Sequence, residues 1–446
     1  MSKRQGSAVA TSDQQAYEFA FEPVPKNKRK GTFSLFMVLA GYPITVSNFV
    51  TGTAIGYRMT FLDAMIAIIA ADAFLIFIAI GTGVISYRTG LSTSFLSRFA
   101  FGKKGSAIFS LLLALSAVNW IGINGNTFAS MVVENASWWP IPMAITSAAI
   151  ILVWSISATH GYKGLEFISW IGVPITVFMA IACFVIVGVE YNGYGAVASY
   201  APDPSNVMSF TEASASIVGS WVFGCLISPD VCRFAKSKGS VFVAGAGAFS
   251  LGLFCLQVIG IVIGQVAQNG DFTVATAAIG LGPLVLACTL VSLCTTQDNS
   301  IYGASLAMQN VLGETKLRGK VKHSYIAFGV ALLSAIFAAC GALSYLLPII
   351  SFLSVLMAPI PALIISEYYF VKRPKNTIKT NPVALASWLL GGVCGQICLE
   401  TNFFVSPVVA FVFTVVVYAI LSKVFDGKMF EWARRQEERK QASSVS

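Results

Sequence analysis

Trp120 and Asn124 stand four residues apart in an otherwise apolar stretch, so a helix brings them to one face. A flat aromatic plate one turn from an amide suits a planar heterocycle. The plate stacks on the ring, and the amide offers the ring edge a donor and an acceptor. The competing reading makes the polar residues of this stretch, Asn119 and Asn126 among them, glue between helices and puts the indole in an interfacial belt. Trp120 lies mid-stretch, which argues against the belt. A second cluster is the run Thr295, Thr296, Gln297, Asp298 and Asn299. Consecutive polar residues are costly at membrane depth and must face protein or a cavity. Hydroxyl and carbonyl oxygens are hard ligands of the kind an alkali cation takes. Thr295 and Thr296 can therefore hold Na⁺ together with backbone carbonyls of the first span near Ile44 to Ser47, Thr45 among them, while Gln297 or Asn299 can meet the edge of a bound ring. Asp298 reads either as a proton or cation carrier or as an acceptor for backbone amides freed by a broken helix, with the structural role preferred.

Other polar groups need separate weighing. Asp72 is alone in the apolar AADAF, and a lone carboxylate at membrane depth is a candidate for coupling or gating. Its alternative is a buried acid held by hydrogen bonds. Asp230 and Arg233 read as a local pair or a gate contact, and Glu367 as a solvated group near the end of its span.

Groups of this kind must be held by unusual spans. The stretch 214–234 (SASIVGSWVFGCLISPDVCRF) is apolar enough to cross a membrane, yet contains Gly219, Gly224 and Pro229, with Trp221 among them. Proline deletes one backbone hydrogen bond, and in hydrocarbon an unpaired backbone group costs several kcal/mol, roughly. An interrupted span therefore belongs against a cavity. The first span, 33–58, has the same character around Gly41, Tyr42, Pro43, Thr45, Ser47 and Asn48. Two interrupted spans, one in each half of a chain, point to the binding site of a secondary transporter. The plainer alternative is two ordinary spans kinked by Pro and Gly.

The composition is 56% hydrophobic and 11% charged, against about 25% charged in soluble domains. The chain reads as an all-α membrane protein with twelve apolar spans, near 33–57, 62–86, 106–133, 140–159, 166–188, 211–233, 240–267, 274–310, 323–342, 344–370, 383–400 and 404–424. The eighth is longer than one crossing needs, so it is expected to tilt or to run beyond the bilayer. Residues 1–31 form a polar tail ending in the basic run Lys26–Lys30, and residues 426–446 a second tail that can form a short amphipathic helix through Met429, Phe430 and Trp432. If the N-terminus lies inside, Arg58 is the sole outside member of the 29 Lys and Arg residues, and the outside connections carry acids such as Glu190, Asp203 and Asp271. This positive-inside pattern places the chain in the plasma (inner) membrane with both termini cytoplasmic. It also accounts for the net charge of +9 without nucleic acid as a partner.

Several function classes are disfavoured. There is no phosphate-binding glycine loop, so ATP-driven transport by this chain alone is not expected. The two histidines fall in predicted connections and the nine cysteines are scattered without CxxC spacing, so neither a metal centre nor a hydrolytic Ser–His–Asp set is expected. A membrane-embedded enzyme would need a catalytic constellation that the sequence does not present, and no cofactor beyond a coupling cation is expected.

Four segments carry a family resemblance: YRTGLSTSFLSRFAFGKKGS (87–106), the NWIG of the third span, GSWVFGCLISPDVCRF (219–234) and TTQDNSIYGASL (295–306). Over about residues 30–423 the chain resembles the nucleobase:cation symporter-1 family, in its cytosine permease and purine–cytosine permease branch. The resemblance implies a leucine-transporter-type fold: an inverted five-plus-five repeat (about 32–188 and 211–370) followed by two extra helices (about 383–425). It implies alternating access coupled to Na⁺ or H⁺. By the same resemblance Trp120 and Trp221 sandwich the substrate ring, Asn124 with Gln297 or Asn299 reads its edge, and the cation lies near Ile44, Thr45, Thr295 and Thr296. The chain departs from bacterial cytosine permeases where Ala117 replaces a glutamine, Trp221 a phenylalanine and Phe223 a small polar residue. The pocket edge is thereby altered, leaving cytosine, a purine, uracil, a hydantoin, allantoin or a thiamine-precursor pyrimidine as substrates to be distinguished.

Overall fold

The computed structural model describes residues 19–20, 22–313, 315–341, 355–371 and 379–445, with side chains as far as Phe425. Most of the N-terminal tail, the start of the predicted tenth span and the C-terminal tail's side chains lie outside the described residues.

The first predicted span is two helices, α1 (Thr32–Ala40) and α2 (Val46–Arg58). Pro43 has no amide to continue a ladder and disfavours helical backbone at the residue before it. By Thr45 the chain is extended, at φ −148° and ψ 156°. Side chains from elsewhere hold the break: Val46 N donates to Ser292 Oγ at 3.3 Å, and Asn48 Nδ2 donates to the Pro43 carbonyl at 2.6 Å.

The chain continues through α3 (Phe61–Thr89), α4 (Thr93–Asn135), α5 (Met143–Ala158), α6 (Tyr162–Glu190) and a short α7 (Gly193–Ser199). Between α3 and α4 the chain turns helical again where Ser92 caps Phe95, and α4 then bends at Gly102, whose φ of 80° suits glycine. Next come α8 (Phe210–Cys232), α9 (Lys238–Phe249), a π-helical turn (Ser250–Cys255) and α10 (Leu256–Ala267). The long eighth span resolves into a short α11 (Phe272–Ala278) and α12 (Gly282–Leu312), with Gly280 at φ 70° between them. The last helices are α13 (His323–Ala339), α14 (Pro359–Ser366), α15 (Pro382–Glu400) and α16 (Ser406–Val445), which runs on through the C-terminal tail. Among the described residues seven helices are long and apolar enough to cross a membrane, and three further apolar helices are shorter.

The expected interruption of the sixth span is not found: α8 is continuous through Gly219, Gly224 and Pro229. Pro229 has no amide to offer the Cys225 carbonyl one turn back. Ser228 Oγ lies 2.8 Å from that carbonyl and stands in for the missing donor. The same hydroxyl lies 3.0 Å from the Ala79 carbonyl of α3, so it also ties the two helices together. Gly224 serves close packing instead of a break, because a Cβ there would fall 2.2 Å from Tyr42 Cε1.

Two groups of helices frame the molecule. In one, α1 packs on α9, α2 on α10 and α3 on α8; in the other, α4 packs on α12 and α5 on α13. The α2–α10 contact is glycine against backbone: a Cβ on Gly52 would fall 2.0 Å from the Gln257 carbonyl oxygen, and one on Gly260 2.3 Å from that of Phe49. Small residues four apart let membrane helices approach this closely.

Candidate functional site

A cavity of about 200 Å³ lies between the two groups. Four helices each present a stripe to it at helical spacing: Ser47, Thr51 and Arg58 from α2, Trp120, Asn124 and Thr127 from α4, Ser216, Ser220 and Trp221 from α8, and Thr296 and Ser300 from α12. The volume is below the ~300–1,000 Å³ of sites for drug-sized ligands, and suits a molecule of one or two rings. Ser47 Oγ donates to Asn124 Oδ1 at 3.1 Å, which leaves the Asn124 amide nitrogen as a donor. Trp120 is half-buried against the hydrophobic core, and its indole nitrogen has no partner. Trp221 meets Tyr42 edge to face, with ring centroids 5.4 Å apart and planes at 77°. The site thus offers indole surface, the Asn124 amide donor and hydroxyls, and among the described residues no carboxylate lines it.

The cavity opens toward the end of the bundle that carries the acidic connections. Arg58 stands at that mouth, paired with Glu212 at 3.0 Å and donating to the Asn206 carbonyl at 3.1 Å. The opposite, basic end is sealed. Arg233 is fully buried there, donating to Tyr302 Oη at 2.7 Å, the Phe19 carbonyl at 3.1 Å and the Asp230 carbonyl at 3.0 Å. Asp230 Oδ1 accepts from the backbone amide of Thr93 at 2.7 Å, tying α8 to the start of α4. These contacts hold the end of α8 that carries Asp230 and Arg233 to α4, α12 and the N-terminal segment. Lys30 adds an ion pair with Glu166 on the same end, at 2.6 Å.

Beside the cavity, the break of the first span meets α6 and α12. Thr296 Oγ1 donates to the Tyr42 carbonyl at 3.2 Å, and Thr295 Oγ1 to the Ser292 carbonyl at 2.8 Å. Thr45 is fully buried at the break with its hydroxyl unpaired, as is Ser169 of α6, which lies against Gly41. Buried hydroxyls without partners are costly unless something pairs them. Neutral oxygens converging at the C-terminal end of α1, the negative pole of its dipole, fit an alkali cation.

The run Thr295–Asn299 is spread around α12 by its helical turn. Thr296 faces the cavity and the break; Thr295 packs its methyl on Gly172 of α6. Gln297 points at α4, donating to the Ile121 carbonyl at 3.3 Å, and does not line the cavity. Asp298 accepts from Ser157 Oγ of α5 at 2.7 Å, a structural contact. Asn299 donates to the Thr295 carbonyl at 3.0 Å and faces a void of about 10 Å³ below Tyr42. Phe223 is packed within the core, outside the cavity wall. Trp120, Asn124, Trp221, Thr296, Thr45 and Ile44 are brought together around the cavity and the break, while Asp72 lies apart. Glu367 is not solvated: it is buried and accepts from Tyr418 Oη at 2.6 Å. His323 begins α13 and is buried against Ser305 Oγ at 2.9 Å, whereas His160 lies exposed in a turn.

Residues absent from the sequence-based site are Thr51, Ser216, Ser220 and Ser300. Their signal was present as hydroxyls four apart: 47 and 51, 216 and 220, 296 and 300.

Residues 23–421 match the family described as permeases for cytosine/purines, uracil, thiamine and allantoin. The cytosine permease of Escherichia coli (strain K12) is 27% identical over 374 residues, covering 83% of this chain and 85% of that one. A purine-uracil permease of Arabidopsis thaliana is 22% identical, covering 74% of this chain and 59% of its own. Among solved structures, Mhp1, a nucleobase-cation-symport-1 family transporter in a closed conformation with bromovinylhydantoin bound, superposes with a TM-score of 0.73 at 17% identity, covering 90% of this chain and 95% of that one. A Na⁺-coupled sialic acid symporter in a substrate-bound outward-open state gives a TM-score of 0.66 at 14% identity, covering 90% and 91%. At these identities the two structures speak to the fold.

Proposed function

The chain belongs to the nucleobase:cation symporter-1 family, and we propose that it imports a nucleobase (cytosine, a purine or a related pyrimidine) across the plasma membrane in symport with Na⁺ or H⁺. One observation carries this reading: a small cavity flanked by Trp120 and Trp221, with the Asn124 amide and a set of hydroxyls at its wall and no charged partner of the kind an amino-acid substrate needs at its depth. A planar ring stacks between or upon the indoles, while Asn124 and the hydroxyls of Ser47, Ser220 and Ser300 take its polar edge. Arg58, at the mouth, is already engaged with Glu212.

The basic end is the cytoplasmic side by the positive-inside rule, so the cavity faces outward and Arg233 seals the inner side. Twelve spans in an inverted five-plus-five repeat plus two helices are supported by the pairing of helices. The first span's second half packs on the seventh span as the second packs on the sixth, and the third packs on the eighth. Ile44, Thr45, Thr295 and Thr296 are the proposed cation ligands. Thr296 faces both the cavity and the break, so cation and substrate share a neighbour, and a cation that favours the outward-open arrangement raises the population able to bind substrate.

A second reading is transport of another heterocycle by the same fold, such as a hydantoin, allantoin or a thiamine-precursor pyrimidine. The broad Trp221 plate beside Tyr42 favours it, as does the hydantoin bound to Mhp1. Uptake of radiolabelled cytosine by the purified chain in liposomes, with competing bases and hydantoins, with and without a Na⁺ gradient, separates the two. Absence of saturable uptake for every planar heterocycle tested would remove both.

A further inference from the structure

Asp72 lies at mid-length in α3, 3% exposed, and neither carboxyl oxygen has a hydrogen-bond partner. It is not part of the cavity wall. Gln257 of α10, fully buried on a helix packed against α3, makes no hydrogen bond to that carboxyl in this arrangement. Gln257 Nε2 donates to Asn48 Oδ1 at 3.2 Å, while Gln257 Oε1 is unpaired. Asn48 Nδ2 in turn donates to the Pro43 carbonyl at 2.6 Å. A line of three polar side chains therefore runs from α3 through α10 to the break in the first span.

The groups around Asp72 supply few donors. An ionised carboxyl accepts only, and Gln257 has one amide hydrogen left once Asn48 has taken the other. The titratable group facing Asp72 is the Cys225 thiol of α8. The remaining helices packed on α3, including α9, α14 and α2, bring no acid or base to it among the described residues. An unpaired buried charge is costly. A proton changes the count. A neutral carboxyl donates its O–H to Gln257 Oε1 and accepts the second Gln257 N–H on its carbonyl oxygen, closing a two-bond ring that pairs the orphaned oxygens while leaving the Asn48 contact in place. Three side-chain oxygens are fewer than the six or so that a metal cation takes up.

We propose that Asp72 is a proton-binding site, closed by a reciprocal acid–amide pair with Gln257 and linked through Asn48 to the Pro43 carbonyl. Taking up a proton forms one O–H bond at the carboxyl. Releasing it breaks the pair, frees the Gln257 amide to turn, and removes the support that Gln257 and Asn48 give to the break, where α1 and α2 must reorient for the cavity to change sides. The protonation itself does not depend on the transport reading; only its consequence for transport does.

Infrared difference spectroscopy on the purified full-length chain in lipid tests the site without any substrate. At neutral pH the wild type minus Asp72→Asn spectrum is expected to contain a protonated-carboxyl C=O band, and that band should disappear at alkaline pH. Gln257→Leu should move the band, because it removes the partner of the O–H. If Asp72→Asn does not assemble, the Gln257→Leu shift alone reads the pair. No carboxyl band in the first difference, or a band that Gln257→Leu leaves in place, overturns the proposal. In liposomes, substrate KM in the wild type should change with pH severalfold more than in Asp72→Asn. Equal pH profiles in the two would overturn the link to the break, even with the infrared result intact.

Discussion

Ser47 and Asn124 are joined across the cavity: the Ser47 hydroxyl donates to Asn124 Oδ1 at 3.1 Å, linking the helix after the break to α4. This bond occupies the acceptor of Asn124 and orients its nitrogen as a donor. Ser47→Ala is expected to fold normally and to raise substrate KM about two- to tenfold, the span of one neutral hydrogen bond at about 0.5–1.5 kcal/mol. Asn124→Leu should raise it more, since the ring edge then loses its amide. Equilibrium binding by the purified variants checks both; unchanged affinity in Asn124→Leu would take this amide out of the site.

In the proposed site the part of Trp120 is stacking, and its buried indole nitrogen is unpaired. Removing a base–aromatic stack costs about 1–3 kcal/mol, so Trp120→Ala should weaken substrate binding by about five- to 150-fold. Trp120→Phe should recover most of the loss, because it keeps a π-face. Trp138, 76% exposed and outside the cavity, serves as the control, and Trp138→Ala should bind normally.

The Thr45 hydroxyl is buried and unpaired at the break. Thr45→Val keeps the shape and deletes the oxygen. If Na⁺ is the coupling ion, this variant should need at least several times more Na⁺ for half-maximal uptake, with substrate affinity at saturating Na⁺ little changed. Ser387→Ala on α15 removes another buried, unpaired hydroxyl far from the break and should leave the Na⁺ dependence alone.

Ser228 replaces the amide that Pro229 lacks. Ser228→Ala should leave the Cys225 carbonyl unpaired, lowering thermal stability by an amount on the order of 1–3 kcal/mol. Pro229→Ala restores the amide, so the double variant should be more stable than Ser228→Ala alone. Thermal unfolding of the four proteins forms the cycle. Additive losses would show that the hydroxyl does not serve this carbonyl.

Much of this arrangement is written in residue types. The apolar spans, the charge asymmetry of the two ends and the break at Gly41–Pro43 follow from local chemistry: hydrocarbon demands apolar faces, and a proline without an amide ends a ladder unless something replaces the donor. Trp120 and Asn124 share a face because four residues make about one helical turn. Rotation and contact are a different matter. Five consecutive polar residues on α12 point in five directions, and only packing against α4, α5 and α6 decided that Thr296 meets the cavity while Gln297 and Asp298 are taken up in helix contacts. Likewise Pro229 announces a break that does not occur, because a serine one residue away caps the freed carbonyl, a compensation visible only once the hydroxyl's rotamer is in place. The line from Asp72 to Pro43 passes through Gln257 and Asn48, which stand 209 positions apart in the chain. No local rule brings those two together; the close approach of α2 and α10 over glycine does.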